Sequence, residues 1–110
     1  MDYSSIIETK RNRLATLEAV LGDQNFFDHA KKAGELLREH RTLQKLLGDW
    51  DAYQKAQREL AENREMAKGT DAELAEMAAH EIPVLEKRIV ELEELVQFAI
   101  LPPDPLEGRD

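Results

Sequence analysis

The stretch Ile82-Pro83-Val84-Leu85-Glu86-Lys87-Arg88-Ile89-Val90-Glu91-Leu92-Glu93-Glu94-Leu95-Val96-Gln97-Phe98-Ala99 decides the fold class. Its apolar stripe, Ile82, Leu85, Ile89, Leu92, Val96 and Ala99, advances by alternating steps of three and four residues. That is the seam of a helix lying along other helices, not the two-residue alternation of a strand. Immediately after it comes Ile100-Leu101-Pro102-Pro103-Asp104-Pro105. Each proline lacks an amide donor and pushes its predecessor into extended conformations, so the helix must stop there. A packing helix running into a rigid exit predicts a helical domain over residues 1–101 and a proline-containing linker over 102–110 that leads to a further domain downstream.

Working outward, composition agrees with a chain of long helices. Aromatics are 5% and charged residues 35% of 110 residues, with Ala, Leu, Glu, Lys and Arg prominent. The expected fold is all-α, an elongated three-helix bundle whose core is a long antiparallel helical hairpin. There is no cysteine, which removes disulfides, thiolate metal sites and cysteine nucleophiles and fits a reducing compartment. No run approaches the roughly 20 apolar residues of a membrane span, and Met1-Asp2-Tyr3-Ser4-Ser5 lacks the pattern of a signal peptide. A cytoplasmic protein without a membrane partner is expected.

The net charge of -8 is unevenly placed. Residues 1–70 carry 12 acidic and 12 basic side chains, whereas residues 71–110 carry 11 acidic and 3 basic. Phosphate backbones repel such a last segment, so any nucleic-acid contact should come from the first two thirds.

Taken in order, Ser5-Ile6-Ile7-Glu8 fits a capping box that would start a first helix. Ile7, Leu14, Leu17 and Leu21 share a face, Lys10, Arg11 and Arg13 lie beside it, and Gly22-Asp23 supplies a stop. Asp23 or Asn25 can cap a second helix, with Phe26 and Phe27 entering the core or covering its end. Helical spacing then continues through Ala33, Leu36, Leu37, Leu43, Leu46, Leu47, Trp50, Tyr53, Leu60 and Ala67. Roughly 40 residues at 1.5 Å each predict a rod of about 60 Å. Gly34 and Gly48 each weaken it by about 1 kcal/mol relative to alanine, which makes a break at Gly48-Asp49 the alternative to a continuous rod. Gly69 ends this helix, and Thr70-Asp71-Ala72-Glu73 reads as a second capping box opening the third. Leu74, Met77 and Ala78 lead into the stripe, interrupted by Pro83, where the helix should bend near residues 79–82 or restart. The first helix is expected to cover part of the groove between the other two.

Catalytic chemistry has little to work with. His29, His40 and His80 are not spaced to share a metal on one helical face, and His40 reads as a packed residue with a polar tip. The pairs Glu91/Glu94 and Glu93/Glu94 belong to a solvated flank, not to the contrasting environments that acid–base pairs require. No glycine-rich phosphate loop or nucleophile elbow occurs. The expectation is no enzyme, no catalytic, metal or cofactor-binding residues, and no cofactor.

The order of features resembles the N-terminal domain of bacterial peptide chain release factors, more closely the release factor 1 type than release factor 2. The matching stretches are Arg38-Glu39-His40-Arg41-Thr42-Leu43, Trp50-Asp51-Ala52-Tyr53-Gln54-Lys55, and Thr70-Asp71-Ala72-Glu73-Leu74 with Met77-Ala78 and Glu81-Ile82. Most specific is Ile100-Leu101-Pro102-Pro103-Asp104-Pro105 followed by Arg109-Asp110. Pro83 departs from the family's usual uninterrupted helix. The resemblance implies a ribosome-docking domain in translation termination that projects toward the stalk base of the large subunit and helps in dealings with the GTPase that recycles the factor. The glycine-glycine-glutamine loop that promotes peptidyl-tRNA hydrolysis and the tripeptide that reads the stop codon lie downstream in that family, and neither occurs here.

Two other readings compete. In a generic helical coiled-coil adaptor the stripe would be a homodimer seam. Separately, the isolated fragment could form a homodimer through surface that its neighbouring domain would normally cover. A tRNA-binding helical arm like that of seryl-tRNA synthetases would need a basic face, which the acidic third helix does not offer.

Overall fold

A computed structural model describes residues 3–23 and 30–101. Among these the chain is all-α, with helices α1 (Ser4–Leu21), α2 (Ala30–Ala67) and α3 (Ala72–Ile100). The expected caps at Asn25, the Phe26-Phe27 pair, His29 and the proline-rich exit lie outside the described residues. The chain divides into two compact units, Met1–Gly48 and Asp49–Asp110, and the division falls within α2.

In the first unit α1 begins one residue earlier than its expected cap. Tyr3 occupies the N-cap position with no side-chain cap hydrogen bond, and its carbonyl accepts from the Ile7 amide at 2.9 Å. Ser5 is already helical, its own carbonyl accepting the Thr9 hydroxyl at 3.0 Å. The capping box at Ser5 is therefore not formed. Tyr3 and Ile7 are both buried, and burying their apolar surface, about 1.5–3 kcal/mol for a large side chain, outweighs the roughly 1 kcal/mol of a serine cap. The helix does stop at Gly22, although in right-handed geometry (φ -83°, ψ -6°). Leu17 is 1% exposed and is the best-buried side chain of α1; Ala33, Leu43, Leu46 and Leu47 are buried on α2.

α2 runs unbroken for 38 residues, so the rod reading holds and Gly48 does not interrupt it. A Cβ added at Gly34 or Gly48 would meet nothing within 4 Å. Neither glycine is there to admit a close neighbour.

The second unit contains residues 49–67 of α2 and all of α3, joined by the short turn 68–71. Its core is a cluster of Ala56 and Leu60 from α2 with Leu85 and Leu92 from α3, flanked by Ala52, Tyr53, Ile82 and Ile89. Four residues of the opening stripe thus pack on α2, Val96 is 1% exposed, and Ala99 alone is exposed. Because this seam is filled from within the chain, it is not available as a homodimer seam.

One local detail differs from expectation and another decides between two alternatives. The N-cap of α3 is Asp71, not Thr70: its Oδ1 accepts from the amides of Glu73 at 3.1 Å and Leu74 at 3.2 Å. A carboxylate is favoured over a hydroxyl at this position because it also meets the positive end of the helix dipole. Of the two alternatives at Pro83, the restart does not occur: α3 continues through it as one helix. Pro83 and Ala79 are both exposed, so the carbonyl deprived of its amide partner lies on the solvent side, where water can replace the lost bond.

Candidate docking surface

With the apolar seams committed to the core, the surfaces offer three kinds of feature: ion pairs, a shallow trough and an outer face of α3. In the first unit Arg13 of α1 grips Glu39 of α2 through two parallel bonds, Nε to Oε2 at 2.6 Å and Nη2 to Oε1 at 2.8 Å. The hydrogen bond from Arg13 holds the Glu39 carboxyl below the usual carboxylate range, and the same bond pushes the guanidinium up. One member of the basic trio Lys10, Arg11 and Arg13 is therefore occupied in holding two helices together.

The histidines behave as flank residues. His40 is half-buried, with Nε2 4.0 Å from the Glu18 carboxylate, and fits the reading of a packed ring with a polar tip. His80 is exposed, 3.9 Å from Glu76 one turn earlier. Among the described residues no group of three or more His, Cys, Asp or Glu side chains could hold a metal ion. Glu91 and Glu94 are exposed as expected, but Glu93 is half-buried and accepts from Gln97 Nε2 at 3.3 Å.

In the second unit Arg64 Nη2 meets Glu86 Oε2 at 3.3 Å across the hairpin. A trough of about 190 Å³ lies between Lys55 and Glu59 of α2 and Arg88 of α3, floored by Ala52 and Ala56. Lys55 is already 3.8 Å from Glu59. The small alanines leave the space; Lys55 and Glu59 answer one another on the α2 side, and Arg88 stands on the α3 side. No helix among the described residues is long and apolar enough to cross a membrane.

The outer face of α3 was not anticipated. Leu74 and Met77, expected to lead into the packed stripe, are 51% and 63% exposed, and of that group only Ala78 is buried. Val84, Leu95 and Phe98 are also exposed, Phe98 at 88%. The signal for this face was present in the sequence as a second run of apolar residues on α3, masked by the stronger inner stripe.

The fold and its surfaces define an all-α module in which a long helix carries a shorter, acidic helix folded back on its second half. Within that class the chain belongs to the PCRF domain family, which matches residues 10–110. It is similar to the peptide chain release factor 1 of Akkermansia muciniphila, with 47% identity over 110 residues, covering 100% of this chain and 31% of that protein. The peptide chain release factor 1 of Oleidesulfovibrio alaskensis is 30% identical over 104 residues, covering 94% of this chain and 29% of its own length. That of Alkaliphilus metalliredigens is 37% identical over 78 residues, covering 69% and 22%. The chain thus spans less than a third of the length of these relatives. No solved structure matches it.

Proposed function

We propose that this chain is the N-terminal docking domain of a peptide chain release factor and acts in translation termination in the cytoplasm. It contacts the ribosome toward the stalk base of the large subunit and the GTPase that recycles the factor. Stop-codon reading and peptidyl-tRNA hydrolysis belong to the rest of the polypeptide, so residues 1–101 contribute binding and no catalytic group. The observation that carries this reading is the match to a release factor 1 over the whole of this chain but 31% of that protein's length, in a sequence without the glycine-glycine-glutamine motif. The handover to a linker at residues 102–110 is supported by Leu101, which leaves α3 in an extended conformation (φ -79°, ψ 122°) ahead of Pro102.

The test is deletion of residues 1–101 from the full-length factor. Peptide release at saturating factor should persist, while affinity for the ribosome falls and acceleration of turnover by the recycling GTPase is lost. A truncated factor that kept both its ribosome affinity and its response to the GTPase would overturn the proposal.

A further inference from the structure

Deepening the docking function just proposed, and resting on it for the identity of the natural partner, we propose that the outer face of α3 is a second helical seam that receives a basic amphipathic helix of a protein. Residues 74, 77, 81, 84, 88, 91, 95 and 98 advance by alternating three and four, the a/d repeat of a coiled coil. From residue 81 on, each immediately precedes a member of the inner stripe, so this face lies about 100° around α3 from that stripe. It borders α2 at the trough beside Arg88. The apolar members are Leu74, Met77, Val84, Leu95 and Phe98, all exposed, although the inner seam of the same helix is packed on α2. They form a pair at each end of the repeat, Leu74 with Met77 and Leu95 with Phe98, and Val84 between them. Exposed apolar side chains at helical spacing are the anchors that helix-in-groove recognition uses.

The remaining three positions specify the occupant. They are Glu81, Arg88 and Glu91, and no ion pair joins Glu81 or Glu91 to another described residue. A second copy of this chain fits badly. Paired in parallel, each of the three charges would face its own twin. Paired antiparallel about the centre of the repeat, Glu81 would face Glu91 twice. Shifted by one heptad, Arg88 would meet Glu91, but Glu81 would then face Phe98 twice and Leu74 and Met77 would lie opposite positions beyond the end of α3. Nucleic acid is repelled by the same carboxylates and by a helix that carries seven glutamates against one lysine and one arginine. A helix that brings apolar side chains to Leu74, Met77, Val84, Leu95 and Phe98, lysine or arginine to Glu81 and Glu91, and a carboxylate to Arg88 satisfies every position.

The experiment uses the 110-residue chain with two probes. One is a synthetic helix with leucine opposite the apolar positions, lysine opposite Glu81 and Glu91 and glutamate opposite Arg88; the other is purified bacterial large ribosomal subunits. Met77→Asp with Val84→Asp should weaken binding of the synthetic helix at least tenfold with helicity by circular dichroism unchanged. Glu81→Lys with Glu91→Lys should do the same and should transfer preference to a helix carrying glutamate at those positions. Glu62→Lys with Glu65→Lys, an equal charge change on α2, should leave binding unaltered. Equal weakening by the α2 pair, no binding of the synthetic helix by the parent chain, or dimerisation through this face would overturn the seam. If the variants discriminate the synthetic helix but the chain does not bind subunits, the seam stands and its ribosomal assignment falls. Subunit binding that the face variants leave intact, and that salt abolishes, would assign the contact to RNA through another surface and overturn the inference.

Discussion

The two units fasten a stretch of α2 in different ways. Across the first, Ile7 and Leu17 of α1 and Leu43, Leu46 and Leu47 of α2 are buried, and a forked Arg13–Glu39 pair adds a polar clamp between the two helices at partly exposed positions. Across the second, Ala56 and Leu60 meet Leu85 and Leu92 in an equally apolar core, but the ion pair Arg64–Glu86 is longer, at 3.3 Å, and not forked. The difference, which lies in the polar clamp, teaches which condition loosens which part. Exposed ion pairs respond to acid and salt, whereas buried methyl groups respond to cavities.

The largest effect should come from breaking the apolar fastening. Leu85→Ala or Leu92→Ala should cost about 2–5 kcal/mol in urea unfolding, because each leaves a hole in a cluster that has little else to fill it. Next is Pro83→Ala, which restores an amide to the middle of α3 and should stabilise by about 1–3 kcal/mol, read as a raised thermal midpoint. A loss of stability would mean that the proline sets a bend on which the packing of Ile82 and Leu85 depends. Asp71→Ala removes the acceptor of two amides and should cost about 1 kcal/mol. Gly48→Ala, with open space for its methyl group, should gain about 0.5–1 kcal/mol.

The smallest effect sharpens the comparison through pH. Glu39 has a lowered folded pKa because Arg13 donates to it. Its contribution is therefore complete above the unfolded carboxylate value, roughly 4.3, and is lost as pH falls through the folded one. Glu39→Gln should lower stability slightly at pH 7 and lose less than the parent chain on acidification to pH 3, with added salt shrinking the difference at pH 7. Identical pH profiles for the two would remove the fork from the account.

Much of this was legible in the residues, and the exceptions share a cause. The inner stripe of α3 declared itself because its spacing repeats over five steps, and the continuity of α2 followed from long apolar periodicity with no proline. The helix starts slipped by one or two positions. At Ser5 the burial of Tyr3 and Ile7 decided the start, and at Thr70 the neighbouring Asp71 is the better acceptor; a capping pattern read from sequence weighs neither. Leu74 and Met77 were placed toward the core because apolar character does not say which of two seams on one helix a residue joins. Only their exposure separates the two, and with it the outer face became visible.

The measurement that bears most directly on the docking role is site-specific photocrosslinking to large ribosomal subunits. A photoreactive phenylalanine derivative at Val84 on the outer face of α3, 57% exposed, is compared with one at exposed Gln54 on α2. The account predicts a discrete crosslink from position 84 to a basic segment of a ribosomal protein and none from position 54. Crosslinks from 84 only to RNA, or to nothing while 54 reacts, would contradict it.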